Sequence, residues 1–467
     1  MIPPSFSHTE ALYFGHISHG MEKNMNKLGK SFREKSGFQT TLKALIITVL
    51  TLALLIPLGM IRFQIRERQE TRDYAEDEIV ISWGGEQSIG GPVITVPYLE
   101  RIKDDKGDIE EITRYARFLP DILNIKGQIE PELRHRGIYE VTLYTTDLTL
   151  TGTFSRPDFS EWRIPDKDIL WEEAFLSIAF PDMRAIRNRV SLSWDTRTFA
   201  FRAGSEQIGL YNGEIWTTIP DLKEGENHDF SVDLKLRGGR VLYFLPLGDE
   251  TKVNLASSWP SPGFTGAFLP NTRDLSEEGF IASWYITSLG RNYPQKWKEN
   301  EVDMSSLEAS GFGVNLVVPV DTYLKSTRSV KYGLLFIVLP FLTFFLFELL
   351  SGKKIHPFQY LLVGFAVCIF YLLLLSLSEH LGFNVSYLLA SSATIGLISF
   401  YSSAVLITWR KASMLTVILC ALYIYLYVVL QSEDYALLIG SLGLFGILGA
   451  VMFITRKLDW YGLGRNP

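Results

Sequence analysis

Long uncharged apolar segments constrain this chain more than any other feature of its sequence. The clearest segment runs from His356 to His380, and its central 19 residues, 360–378, carry no charge. At about 1.5 Å of rise per helical residue this central part is roughly 28 Å long, close to the thickness of the hydrocarbon core of a bilayer. Because a helix satisfies its own backbone hydrogen bonds within lipid, the segment is predicted to be a transmembrane helix.

The two faces and the start of this helix are also predictable. His356 and Pro357 are expected to begin it, because Pro is tolerated in the first helical turn. One stripe is smaller or more polar than the Leu-rich remainder and is predicted to face other helices. This stripe consists of Tyr360, Gly364, Cys368, Tyr371, Leu375 and Ser378.

Six segments of this character predict an α-helical membrane bundle of six transmembrane helices. They are 42–61, 330–350, 360–378, 385–408, 414–430 and 436–455. The first follows a basic stretch as a signal peptide would, but no small-x-small cleavage site follows it. A retained signal anchor is therefore the favoured interpretation.

The large block between the first two spans, 62–329, is predicted to be a mainly antiparallel β domain, sandwich-like in architecture. Alternating segments such as 139–154 and 228–244 are typical of strands with one buried face. The Asp/Gly cluster at 104–108 and the Gly238-Gly239 pair are typical of turns between strands. The charged segment 61–80 is expected to continue the first span as a short helical stalk.

Charge divides the chain in the same way. Residues 73–324 contain 41 acidic and 25 basic side chains, a net charge of −16, whereas the whole chain carries −6. Such an acidic domain argues against nucleic acid as a partner, because neutralising phosphates requires clustered Lys and Arg. Both cysteines, Cys368 and Cys420, lie in predicted spans, so the block has no disulfide and no thiol nucleophile.

The distribution of Lys and Arg around the spans predicts the orientation. The short loops and tail on the N-terminal side of the membrane contain Lys353, Lys354, Arg410, Lys411, Arg456 and Lys457, and the opposite short loops contain none. Basic residues that flank the large block oppose this assignment: Arg62, Arg66, Arg68, Arg72, Lys325, Arg328 and Lys331. Long translocated domains are weak signals, so we expect both termini in the cytoplasm and the block outside.

The termini themselves carry little information. Residues 1–41 are predicted to be a disordered cytoplasmic leader, or to include a start assigned ahead of a true start at Met21 or Met25. The leader's three histidines, at positions 8, 16 and 19, are irregularly spaced, and we do not favour a metal site there. Residues 456–467 are predicted to be a cytoplasmic tail.

Ionisable residues near the spans are candidates for function, because a charge in lipid is costly. Glu348 lies near the inner end of the second span, where the alternative is that its carboxylate only reaches toward Lys353 and Lys354. Glu379 and His380 end the third span. For this pair, a helix end that is wetted at the interface is the favoured interpretation.

The segment 257–270, SSWPSPGFTGAFLP, is a predicted loop rich in Pro and Gly. Its aromatic residues, among them Trp259 and Phe264, either contact a partner or the membrane surface, or fill the end of the β domain, and we favour the second. The chain lacks a Walker loop, a GxGxxG and an HExxH motif. We therefore predict no catalytic, metal or cofactor site.

Four segments resemble the CreD family of inner-membrane proteins, also called the cell envelope integrity family, of Gram-negative bacteria. They are HPFQYLLVGFAVCIFYLLLLSLSEH, SSWPSPGFTGAFLP, GGPVITVP and RKLDWY. The resemblance implies a periplasmic domain and a role in envelope stress, with links to a two-component regulatory system and to the β-lactam response. It implies no catalytic residue, but it marks as signature positions His356, Gln359, Tyr360, Glu379 and His380.

Two functions are consistent with these features. The first is non-enzymatic: the protein sits in the lipid bilayer of the inner membrane, and its outer domain binds an envelope protein or a cell-wall component. The alternative is an intramembrane enzyme or a small-solute transporter that uses Glu348, Glu379 and His380. The oligomeric state stays open.

Overall fold

The computed structural model describes residues 8–103, 109–204, 211, 213–219, 222, 227–299, 301–316, 322–351, 355–406, 409–432 and 435–456, and for 8–40 the backbone alone. Two compact units are present. One comprises Met1–Glu70 and Asp321–Pro467, and we call it the helical unit. The other comprises Thr71–Val320, and we call it the β unit.

The helices are α1 (His8–Ser82), α2 (Met304–Ala309), α3 (Thr322–Lys331), α4 (Gly333–Ser351), α5 (Pro357–Leu381), α6 (Phe383–Leu406), α7 (Trp409–Gln431) and α8 (Ala436–Thr455). Five described helices are long and apolar enough to cross a bilayer: α1 from Thr41, α5, α6, α7 and α8. A sixth span results if α3 and α4 count as one. The chain is therefore an integral membrane protein that associates with the lipid bilayer.

Helix α1 is longer than the sequence predicts. It begins at His8, so the segment predicted to be a disordered leader is helical from there on, and residues 1–7 lie outside the described residues. Segment 8–41 contains no proline, and a helix gains one backbone hydrogen bond for each residue by which it extends. At its other end α1 continues through the charged segment to Ser82 and crosses the boundary between the two units.

The predicted span 330–350 is not one straight helix. Helices α3 and α4 meet at a bend of 43°, and the break lies at Tyr332, directly before Gly333, the first residue of α4. Glycine is a poor helix former. At Gly333 it also leaves room for Leu58 of α1, which lies 3.0 Å from the position that a Cβ atom would take.

Helix α5 is the most central of the spans. In the most apolar stretch of α5, 56% of the residues are buried, whereas in the corresponding stretch of α8 only 6% are buried. All six residues of the small or polar stripe on α5 are buried, which confirms the face predicted from the sequence. On α8, Leu437 and Phe445 are 86% and 77% exposed, as expected for side chains that face lipid.

The strands of the β unit are β1 (Gln87–Lys103), β2 (Ile109–Phe118), β3 (Ile122–Arg136), β4 (Tyr139–Ser155), β5 (Phe175–Phe180), β6 (Ser191–Trp194), β7 (Arg197–Ala200), β8 (Arg202–Gly204), β9 (Gly213–Thr218), β10 (Asn227–Gly239), β11 (Val241–Phe244), β12 (Glu250–Ser257), β13 (Pro262–Gly266), β14 (Thr272–Ser276), β15 (Gly279–Thr287), β16 (Lys296–Lys298) and β17 (Phe312–Leu316).

They form two sheets. The first has the order β13-β17-β11-β1-β5-β9-β8, with β2 paired to β1 and β16 paired to β2. The second has the order β14-β15-β12-β3-β4-β10-β6-β7. Two of the described pairings, β1 with β11 and β3 with β12, are parallel and the rest are antiparallel, which agrees with a mainly antiparallel domain.

The two predicted turns have different outcomes. Strands β1 and β2 pair antiparallel on either side of 104–108, as a hairpin requires, although the turn itself lies outside the described residues. The hairpin predicted at Gly238-Gly239 is wrong, because β10 belongs to the second sheet and β11 to the first. Arg240, with a φ of 58°, lies where the chain changes sheets.

Both sheets contribute to one buried core. Leu176 and Phe312 from the first sheet, and Leu148 and Trp284 from the second, are each no more than 1% exposed. The rings of Trp284 and Phe312 lie 5.8 Å apart and connect the two sheets. Alternate residues of β4 and β10 are buried, so each strand turns one apolar face inward.

Candidate functional site

A buried ion pair joins α1 to α4 in the helical unit. Lys43 Nζ donates to Glu348 Oε1, and the two side chains are only 19% and 11% exposed. Lys43 also donates to the carbonyl oxygen of Ile355 over 2.6 Å. Glu348 Oε2 accepts a hydrogen bond from the hydroxyl of Tyr360 over 3.3 Å. These four residues, which we call the Lys43–Glu348 cluster, connect α1, α4 and the start of α5.

A capping box fixes the start of α5 beside this cluster. His356 Nδ1 accepts a hydrogen bond from the backbone N–H of Phe358 over 3.2 Å. In return, Gln359 Oε1 accepts from the backbone N–H of His356 over 3.1 Å. Pro357 takes the first helical position, where a backbone N–H would have no helical partner. The signature residues His356 and Gln359 therefore define where the helix begins.

Glu348 has a partner that the sequence does not indicate. The alternative in which its carboxylate reaches toward Lys353 and Lys354 involves two residues that lie outside the described ranges. In the structure the carboxylate pairs with Lys43, 305 positions away in the chain. Lys43 falls within the first predicted span, and an ionisable residue in a span is a signal for function that the sequence prediction missed. Since both carboxylate oxygens accept hydrogen bonds, the arrangement suits a link between helices.

The structure does not unite the other two intramembrane candidates with Glu348. Glu379 Oε1 accepts a hydrogen bond from the hydroxyl of Tyr323 on α3 over 3.0 Å, whereas His380 is exposed. Both residues lie at the end of α5, and Tyr360 lies at its start. About 19 helical residues, roughly 28 Å, separate the two positions. The three candidates therefore form no common site.

The aromatic residues of 257–270 pack onto the core of the β unit. Part of the predicted loop is strand β13, which pairs with β17. The ring of Phe264 contacts the rings of Phe280 and Trp284 edge to face, with centroids 5.7 Å apart in each case. Trp259 is half-buried against the same core. These contacts favour the interpretation that the aromatic side chains fill the end of the domain.

A cleft with a volume of about 270 Å³ opens in the β unit between β1, the segment 162–168 and β16. It combines aromatic rings with charged side chains of both signs. Its lining includes Tyr98, Glu100, Arg101, Trp162, Arg163, Asp168 and Lys298. The sequence prediction did not identify this cleft. The available signal was a short segment between strands that combines Trp162 and Arg163 with Asp166 and Asp168.

Two guanidinium groups of the cleft have different surroundings. Arg101 pairs with the buried carboxylate of Asp168 at 2.9 Å. Arg163 is exposed, and its guanidinium makes no ion pair or side-chain hydrogen bond with any described residue. Its φ of 53° is uncommon for a residue with a side chain.

Burial, assisted by Glu100, raises the pKa of Tyr98 to about 12, so the phenol stays protonated and able to donate.

Within the described ranges, no group of three His, Cys, Asp or Glu side chains is placed to hold a metal ion. The side chains of His8, His16 and His19 lie outside the described residues.

Apolar spanning helices joined by a buried ion pair, together with a large unit of two sheets, define a multi-pass membrane protein with a β-sheet-rich domain. Comparison with known proteins gives the family. Residues 39–461 match the family model described as "Inner membrane protein CreD". The chain is also 35% identical over 418 residues to "Inner membrane protein CreD" of Escherichia coli (strain K12), over 88% of this chain and 91% of that protein. The chain therefore belongs to the CreD family of inner-membrane proteins.

Proposed function

We propose that this inner-membrane protein contributes to cell envelope integrity and to the response to envelope stress. Its β unit is periplasmic and sandwich-like, both termini are cytoplasmic, and α3 with α4 forms one of six spans. The protein acts without catalysis. The β unit binds or scaffolds an envelope protein or a cell-wall component, while the helical unit anchors it.

The charge of the short loops supports this orientation, because Lys and Arg near span ends are retained on the cytoplasmic side. A reporter fused after Glu301 tests it. We expect activity from a reporter that works only in the periplasm. Activity from a reporter that works only in the cytoplasm would reverse the orientation.

The observation that carries the binding function is the cleft of the β unit. It presents the Trp162 ring, the Tyr98 hydroxyl and an Arg163 side chain that makes no ion pair with any described residue. Aromatic rings offer apolar area at little cost in conformational entropy, and Arg is suited to carboxylates and phosphates. Cell-wall and envelope components carry both carboxylates and phosphates. The cleft is therefore the expected contact surface.

Photo-crosslinking in intact cells tests this assignment. A photoreactive side chain at position 163 is expected to capture a discrete partner, and Trp162→Ala is expected to reduce the yield. The matched control position is Asp147, which is 67% exposed on β4 in the second sheet. Equal capture from 163 and 147, or a yield that Trp162→Ala leaves unchanged, would contradict the proposal.

The second candidate is an intramembrane enzyme or small-solute transporter. The buried Lys43–Glu348 pair favours it, because ionisable side chains within spans often line substrate or proton paths. Glu379→Gln and His380→Ala test the version that uses all three predicted residues. If stress resistance is unchanged while protein levels stay normal, that version is wrong.

A further inference from the structure

Three basic residues form a row on α3. Lys325, Arg328 and Lys331 are spaced three apart, so each is a surface neighbour of the next. Residues buried by α3 include Tyr323 and Ser326. The helix, TYLKSTRSVK, contains no acidic residue. Like charges at this spacing repel one another weakly, and an anion from elsewhere would offset that repulsion.

Helix α1 adds a fourth cation at the same level. Arg62 Nη2 donates to the carbonyl oxygen of Val330 over 3.4 Å. One turn earlier on α1, Leu58 packs against Gly333 at the start of α4. We call the four residues Arg62, Lys325, Arg328 and Lys331 the basic cluster. It lies directly beyond the apolar parts of α1 and α4.

The basic cluster has no acidic partner within the described ranges. Lys325 Nζ donates to the neutral side-chain oxygen of Gln431 over 3.0 Å. Arg62 donates to a backbone carbonyl, and Arg328 and Lys331 make no ion pair or side-chain hydrogen bond with the residues that the structure describes. The carbonyl end of α3 supplies a partial charge of about −0.5, which is too small to balance four cations.

We propose that the basic cluster binds the phosphate headgroup of an anionic phospholipid. The cluster stands where apolar helix gives way to charged helix, which is the depth at which a bilayer places its lipid phosphates. Arg guanidinium groups match phosphate oxygens in a bidentate geometry. The neighbouring apolar surfaces of α1 and α4 offer contacts for the acyl chains. This site is separate from the cleft of the β unit and does not depend on the function proposed for that cleft.

Spin-labelled lipids measure the preference in phosphatidylcholine bilayers that contain the purified full-length protein. We expect spin-labelled phosphatidylglycerol to associate at least roughly fivefold more strongly than spin-labelled phosphatidylcholine. A single contact between a cationic side chain and an anionic lipid at the interface would already give this ratio. In the triple variant Arg62→Gln, Arg328→Gln, Lys331→Gln, which keeps only Lys325 of the basic cluster, the ratio is expected to fall at least about twofold. Arg66→Gln is the matched control. Arg66 lies one turn along α1 and already pairs with Glu70 at 2.9 Å, so the ratio should be retained.

An unchanged ratio in the triple variant, or an equal loss in Arg66→Gln, would overturn the proposal. If the triple variant does not fold, Arg62→Gln and Lys331→Gln are measured singly, and each is expected to lower the ratio in part. Inorganic phosphate, compared with chloride at equal ionic strength, distinguishes a lipid headgroup from a free anion. The two salts are expected to have the same effect. A stronger effect of phosphate would mean that the cluster binds the free ion, and the headgroup assignment would be wrong.

Discussion

Replacing Glu348 with Gln tests whether the Lys43–Glu348 cluster holds the helical unit together. The change keeps the shape of the side chain, but it removes the negative charge that balances the largely buried Lys43 ammonium, which is left with neutral acceptors such as the Ile355 carbonyl. Breaking a fully buried ion pair costs about 3–5 kcal/mol. Because Lys43 and Glu348 are still 19% and 11% exposed, we expect a loss of about 2–3 kcal/mol in the free energy of unfolding.

A double-mutant cycle isolates the energy of the pair. Glu348→Gln, Lys43→Met and the double variant are unfolded reversibly in mixed micelles and followed by circular dichroism. We expect a coupling energy of about 1.5–3 kcal/mol. The Arg66–Glu70 pair, with side chains 79% and 65% exposed, is the control, for which we expect about 0.5 kcal/mol. A coupling no larger than the control value would refute the argument that burial strengthens the Lys43–Glu348 pair.

Three further changes test other parts of the fold. His356→Ala removes the N-cap of α5 and should lower the free energy of unfolding by about 1 kcal/mol in the same micelle assay; an unchanged value would show that the cap adds nothing. Phe264→Ala should destabilise the protein by about 2–3 kcal/mol in thermal unfolding, because its ring packs on the core, and should leave crosslinking intact; lost crosslinking at unchanged stability would point to a partner contact. Hydrogen bonds from the backbone and hydroxyl of Ser160, and then from Lys296, lower the pKa of Asp158 from 3.8 to about 2. A carboxylate whose pKa is lowered in the folded state stabilises the protein above a pH of about 4, and this stabilisation is lost as the pH falls through about 2. Asp158→Asn should therefore flatten the curve of stability against pH between these two values. An identical curve for the variant would contradict the assignment.

The organisation of the helical unit could largely be predicted from local sequence. The uncharged run 360–378 lies within α5, and 436–455 coincides with α8. His356 and Pro357 do mark the start of α5, and the small or polar stripe of that helix is buried. These features depend on the length, composition and periodicity of a single segment. Such properties are set before the helix meets any neighbour.

The fold of the β unit could be predicted only as a class. Alternating polar and apolar residues mark β4 and β10 as strands with one buried face, but they do not state which strands become neighbours. The pattern at Gly238-Gly239 favoured a hairpin, whereas β10 and β11 belong to different sheets. The two parallel pairings join strands that are far apart in the chain, and no local pattern specifies them.

The candidate sites show the same division between local and long-range information. The sequence by itself determined that Glu348 is a charge in an apolar setting and that Trp259 and Phe264 are aromatic residues in a Pro- and Gly-rich segment. Only the tertiary structure decided that Glu348 meets Lys43, 305 positions away, and that Phe264 packs against Trp284. The physical reason is that a sequence pattern records which face of a segment is apolar. Which faces meet is decided by the packing free energy of the whole unit, to which every segment contributes.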